Sequence, residues 1–262
     1  HKEYRRQRQM CIRDRTKITK ACFEPTLDYV AVKVPRWDFE KFLGSTDELL
    51  PQMQSVGEAL AIGSSFGEAY HKALNSLELK WPNGDSKAMP PLTEAHSKRG
   101  FQIWDSLAKG ATADEVAKLT GWDPWFTREI SQYIEENNLG TKALSLSFEK
   151  NRAHFPMIDT CSGEMPAVTP FYYSTRDHLV RDEKLFDRLF PAPSKDSKKV
   201  VILGSGPNRI GQGVEFDYCC VHASKTLQRL GFETIMVNCN PETVSTDPRS
   251  STRLYLDPLH PD

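Results

Sequence analysis

The stretch Val200–Asp247, VVILGSGPNRIGQGVEFDYCCVHASKTLQRLGFETIMVNCNPETVSTD, decides the fold. It opens with an apolar, mostly β-branched run, Val200–Leu203, the signature of a buried parallel strand. A glycine-rich turn follows, carrying Gly204, Gly206, Gly211 and Gly213. A helix is predicted from about Glu215 to Leu230, stopped by Gly231 where a helix end favours a left-handed residue. A second buried strand, Thr234–Val237, comes at once. Strand, glycine loop, helix, strand is a βαβ unit, and such units build doubly wound α/β sheets.

The loop fits neither common phosphate-binding fingerprint. A dinucleotide loop requires glycine three residues after its second glycine, and Arg209 stands there. A P-loop ends in Gly-Lys-Ser/Thr, and this one ends in Gly213-Val214-Glu215. An acid at a helix start suits the helix dipole but repels a phosphate. The glycines are therefore expected to serve tight turns or close backbone approach rather than nucleotide binding.

GSGPNRIGQGVEFDYCCVHAS (204–224) and ETIMVNCNPETVSTD (233–247) closely resemble the large chain of the carbamoyl-phosphate synthase family, at the start of its carbamoyl-phosphate-forming half. FEPTLDYVAVKVPRWDFEKF (23–42) resembles the close of the first ATP-grasp half, and RGFQIWDSL (99–107) the first part of the oligomerisation domain. MIDTC (157–161) and TPFYYST (169–175) resemble the phrases that follow that domain. The resemblance implies a multidomain α+β and α/β fragment: the end of an ATP-grasp domain, an all-helical middle, and a Rossmann-like, pre-ATP-grasp parallel start. It divides the chain into a leader at 1–15, the first half's end at 16–79, a shortened helical domain at 80–175, a linker at 176–198 and the second half's start at 199–262.

The family makes carbamoyl phosphate from bicarbonate, glutamine-derived ammonia and two ATP. What the resemblance implies for this chain is a share in the internal passage that carries carbamate between two active sites. Glu58, Glu215 and Glu242 match glutamates lining that passage, and Arg209 and Gly213 match positions beside it. ATP and Mg²⁺ (or Mn²⁺) serve the full-length enzyme, with ligands outside this chain, so the chain alone is expected to be inactive, with no catalytic, cofactor or metal residue of its own. The implied partners are a glutamine amidotransferase small chain or domain, the rest of the large chain and, through the helical domain, a second copy. The implied location is cytoplasmic.

The totals agree. A net charge of −1 gives no reason to expect nucleic acid or an anionic membrane as partner. No apolar run reaches spanning length. Six cysteines without CxxC spacing read as reduced thiols, and seven scattered histidines offer no metal pair. Cys161 has no identifiable histidine partner and is expected to be an idle thiol. The basic stretch His1–Arg15 is out of character and is expected to be a non-native leader.

Elsewhere, Tyr29–Val34 alternates as a half-buried strand that Pro35 should end, and Glu58 is expected in an apolar loop. Ser65–Glu68 is a capping-box pattern heading a helix with Phe66, Ala69, Tyr70, Ala73, Leu74 and Leu77 on one face. Trp81–Asp85 and Pro90-Pro91 mark a linker. Thr93, Thr112 and Asp123-Pro124 are predicted to cap three successive helices, the last two bounded by Gly121 and Gly140. Arg253–Leu256 reads as a third strand that leaves one sheet edge open. Two other classes compete. ADEVAKLTGWDPWFTREI has helix-turn-helix rhythm, although a reading helix offering Arg128 beside Glu129, Glu135 and Glu136 would be repelled by DNA. The other is a stand-alone structural or interaction module.

Overall fold

The computed structural model describes residues 12–13, 17, 19–79, 89–137, 139, 153–165, 169–176, 198–212 and 215–259. Most of the predicted leader, the break at Trp81–Asp85 and nearly all of the predicted linker lie outside the described residues.

Two antiparallel strands, β1 (Val30–Arg36) and β2 (Gly57–Gly63), form one sheet. Helix α1 (Phe66–Ser76) packs on it, and α2 (Arg99–Ala108), α3 (Ala113–Thr120) and α4 (Pro124–Glu136) form a group that meets α1 through α4. A second sheet holds β3 (Phe171–Tyr172), β4 (Lys199–Leu203), β5 (Glu233–Val237) and β6 (Arg253–Tyr255). All its pairs are parallel, in the order β3-β6-β5-β4, with α5 (Glu215–Arg229) crossing from β4 to β5. The βαβ reading of the opening stretch holds, but β4 is not the buried strand expected: as the last strand of the sheet it leaves Val201 and Leu203 exposed.

The helical unit follows its local signals closely. Thr112 and Glu115 form a reciprocal capping box, and Asp123 accepts from the Trp125 amide at 2.8 Å ahead of Pro124. Gly121, at φ +72°, takes the left-handed turn that closes α3. Ala69, Tyr70, Ala73, Leu74 and Leu77 are buried on α1 as their spacing requires. They meet Phe101, Ile103, Trp104, Val116, Ile130 and Ile134 in one core. A smaller core joins Ile62, Ile158 and Tyr173 to Met236, Leu254 and Leu256 of the parallel sheet. Strand β2 contributes to both, Ala59 to the first and Ile62 to the second.

Five local expectations are corrected. β1 runs through Pro35, because a two-stranded sheet leaves it an edge where a missing N–H costs little. Glu58 lies in β2 rather than in a loop, opposite Pro35. Thr93 caps nothing: α2 starts at Arg99, because residues 95–97 are drawn into contacts with 47–49, including Leu49 N–H to Ala95 O at 2.9 Å. Glu68 does not close its capping box, since its carboxylate turns to the Ser64 amide at 2.7 Å and the Thr175 hydroxyl at 2.9 Å. The free edge of β6 is covered by β3, so among the described residues the sheet ends at β4 instead.

Candidate functional site

Antiparallel pairing places Lys33 opposite Leu60 and Pro35 opposite Glu58. Lys33 and Glu58 are therefore diagonal neighbours on one face, within reach of long side chains. The Lys33 ammonium meets the Glu58 carboxylate. Beyond the hairpin, the Leu60 amide donates to Cys239 O at 2.8 Å, which docks β2 on the carboxyl end of β5. That docking carries the following loop to the hairpin, and Glu242 Oε1 stands 3.8 Å from Lys33 Nζ. One lysine thus lies between two glutamates from distant parts of the chain. Lys33 is half-exposed and Glu242 more so, at 68% of its side chain, whereas Glu58 keeps only 27%. The hydrogen bond that Lys33 donates to Glu58 raises the Lys33 pKa first, with the charges of Glu58 and Glu242 adding to it and burial opposing.

Next to this lies a second, drier cluster. Asp38 is buried and accepts from Arg36 Nε at 3.1 Å and from the Ile210 amide at 2.9 Å. Lys41 Nζ stands 3.4 Å from the same carboxylate and donates to Ile210 O at 2.6 Å. Burial alone would push the Asp38 carboxyl up, but the Ile210 amide, Arg36 and Lys41 together hold it below its usual range. Arg36 also donates to Leu77 O, which ties β1 to the end of α1. Arg209, one residue before Ile210, pairs with Glu78. Burial, then the like charge of Arg36, lowers the Arg209 pKa.

The glycine loop closes the arrangement. Gly204 presses on Asn238 so closely that a Cβ would sit 2.4 Å from its side-chain carbon, which only glycine permits. Asn238 Oδ1 accepts from the amides of Gly206, at 3.2 Å, and Asn240, at 3.3 Å. Asn240 in turn donates to Asn208 at 3.1 Å and accepts from the Glu242 amide at 3.0 Å. The loop spends its Gly206 and Ile210 amides on protein side chains. Among the described residues no group of three or more histidines, cysteines or acids could hold a metal ion. No helix among them is long and apolar enough to cross a membrane.

Of the five residues singled out from the sequence, Glu58 and Glu242 come together through Lys33, and Arg209 lies in the second cluster. Glu215 is the first residue of α5, and Gly213 lies outside the described residues. Sequence reasoning missed Lys33, Arg36, Asp38, Lys41 and Glu78. A charged residue inside the alternating strand, and an acid two residues beyond Arg36, were the available signals.

A family model described as carbamoyl phosphate synthase preATP-grasp domain matches residues 196–262. Another, described as carbamoyl-phosphate synthetase large chain, oligomerisation domain, matches residues 58–152. The carbamoyl phosphate synthase large chain of Acidobacterium capsulatum is 40% identical over 290 residues, covering 94% of this chain and 26% of its own length. That of Clavibacter sepedonicus is 42% identical over 287 residues, covering 94% and 25%. That of Buchnera aphidicola is 38% identical, covering 92% and 26%. The chain spans about a quarter of the length of these relatives. The first match runs over 290 aligned positions against 262 residues in the chain, so the relative carries residues inside the matched span that this chain lacks.

Proposed function

Because this chain belongs to the carbamoyl-phosphate synthase large-chain family and corresponds to a segment of that chain, we propose that it supplies interdomain scaffold and part of the wall of a carbamate passage. In the complete enzyme, bicarbonate, glutamine-derived ammonia and two ATP yield carbamoyl phosphate. ATP and its Mg²⁺ are held by residues beyond this chain, the ammonia comes from the amidotransferase small chain, and the segment alone has no turnover. The enzyme works in the cytoplasm.

The observation that carries the reading is the meeting of Glu58 and Glu242 at Lys33. Carbamate decomposes in water, so a route between two sites must exclude bulk solvent while offering hydrogen bonds. Carboxylates accept from the carbamate N–H groups, and a lysine or arginine donates to its oxygens. Lys33 between two glutamates offers both kinds of partner and leaves the trio one negative charge rather than two. The paired Arg209–Glu78 extends the same alternation. The helix-turn-helix alternative has no comparable support: Arg128 is turned toward Asp114 at 3.6 Å, and Thr127, Ile130 and Ile134 of α4 are buried.

The test places Glu242→Gln at the matching position of a complete synthase. Overall carbamoyl-phosphate synthesis should fall at least tenfold while bicarbonate-dependent ATP hydrolysis by the first half stays within about twofold, a loss of about 1.4 kcal/mol or more confined to the coupled reaction. Equal losses in both assays would sink the passage role.

A further inference from the structure

Helices α2, α3 and α5 close on a glycine in the left-handed region: Gly110 at φ +96°, Gly121 at +72° and Gly231 at +84°. Helix ends favour glycine there because a Cβ would crowd the following carbonyl oxygen. Helix α1 closes differently. The amides of Leu77 and Glu78 donate to Leu74 O and Asn75 O, each at 3.2 Å, and the left-handed residue is Glu78, at φ +53°. A side chain kept against its own backbone preference is the kind of strain that collects where the side chain is needed.

The Glu78 carboxylate meets the Arg209 guanidinium. It also rests against the glycine loop: a Cβ at Gly206, itself at φ +72°, would collide with Glu78 Oε1. Gly206 therefore leaves the carboxylate room to reach Arg209, three residues further along. Arg209 needs such a partner. Its side chain is only 25% exposed, and the positive charge of Arg36 acts on it. Arg36 has Asp38 as its own counter-ion, at 3.1 Å, and donates to Leu77 O. The end of α1 thus receives two guanidinium groups on consecutive residues, Arg36 at the Leu77 carbonyl and Arg209 at the Glu78 carboxylate. Without that carboxylate, Arg209 would stand largely covered beside a like charge, and it would turn out toward water.

We propose that Glu78 is the positioning residue for Arg209: α1 ends on a strained glutamate so that this guanidinium stays fixed beside the carbamate passage, and Gly206 is a glycine so that the carboxylate can enter. The inference rests on the passage reading of Arg209 and adds what holds it in place.

The test replaces Glu78 by glycine, which suits the left-handed backbone and removes only the side chain. In the whole chain, Glu78→Gly should leave the urea midpoint unchanged or raise it, because relief of the backbone offsets the loss of a partly exposed ion pair. At the matching position of a complete synthase it should lower carbamoyl-phosphate synthesis about tenfold, as the displacement of a positioned group does. Arg209→Met should lower synthesis at least as far. The double variant should fall no further than Arg209→Met alone, because Glu78 acts only through Arg209. A midpoint that drops together with synthesis would make Glu78 a structural brace and overturn the proposal. So would a double variant markedly worse than Arg209→Met. Parent-level synthesis in Glu78→Gly, beside a damaged Arg209→Met, would overturn the positioning and leave the passage reading standing. Parent-level synthesis in Arg209→Met would end both.

Discussion

The helices from Arg99 to Glu136 and the polar seam around Asp38 and Lys33 are built in opposite ways. The starts of α3 and α4 and the end of α3 are written within four residues of themselves: Thr112 with Glu115, Asp123 with Trp125, Gly121 at its left-handed turn. In the seam the local Arg36–Asp38–Lys41 group is joined to distant partners. Asp38 holds Ile210, Leu60 holds Cys239, and Lys33 meets Glu242. Local signals fix where elements start and stop. Long-range polar pairs fix how two units with separate cores sit against each other. The two should therefore respond differently to mutation, and the largest difference is expected at the driest point of the seam.

That point is Asp38. Asp38→Ala removes the counter-ion of Arg36, which is itself 6% exposed, and leaves the Ile210 amide unpaired. Breaking a buried pair in this way costs about 3–5 kcal/mol. A urea titration followed by circular dichroism should show the loss. The dependence on pH has a fixed sign. The folded carboxyl lies below its ordinary 3.8, so its stabilising contribution is present above that value and disappears as pH falls through the folded pKa. The gap between the parent and the variant should accordingly narrow below about pH 4. A loss under about 1 kcal/mol at neutral pH would mean that the seam is ornamental and the comparison false.

A purely local change should behave otherwise. Thr112→Ala removes the hydroxyl that accepts from the Glu115 amide at 3.3 Å and half of a reciprocal cap. The expected cost is about 1 kcal/mol, within roughly 0.5–2. Hydrogen exchange should speed up in α3 and leave the Ile210 amide, on the far side of the seam, at its original protection. Faster exchange at Ile210 would show that helices and seam are energetically one body.

The same contrast explains what could be read in advance. The βαβ unit and the edges of α3 and α5 followed from Val200–Leu203, Thr112, Gly121 and Gly231, because periodicity and caps act over a few residues. Pro35 misled because a proline ends a strand only when its N–H is needed, and the number of strands in a sheet is not a local property. Thr93 misled because residues 95–97 answer to 47–49 rather than to the helix behind them. Glu58 and Glu242 could be named from the family resemblance. Their meeting through Lys33 could not, since it depends on a strand register and on the docking of β2 against Cys239.

The smallest effect tests the seam at its wettest point. Lys33 is half-exposed, and replacing either of its glutamates should leave the urea midpoint nearly unchanged, as for most exposed pairs. Titration is the sharper reading. The Lys33 pKa is raised first by the hydrogen bond it donates to Glu58 and only then by the charge of the more distant Glu242. A raised ammonium pKa means that the pairing is complete below the ordinary lysine value, 10.5, and is lost as pH rises through the folded one. Following the Lys33 side chain by nuclear magnetic resonance, Glu58→Gln should bring its midpoint down further than Glu242→Gln does. The reverse order would place Lys33 with the loop after β5 rather than with its own hairpin. It would also turn the seam's wet end into a contact that the loop could release on moving, which the arrangement with Glu58 as first partner forbids.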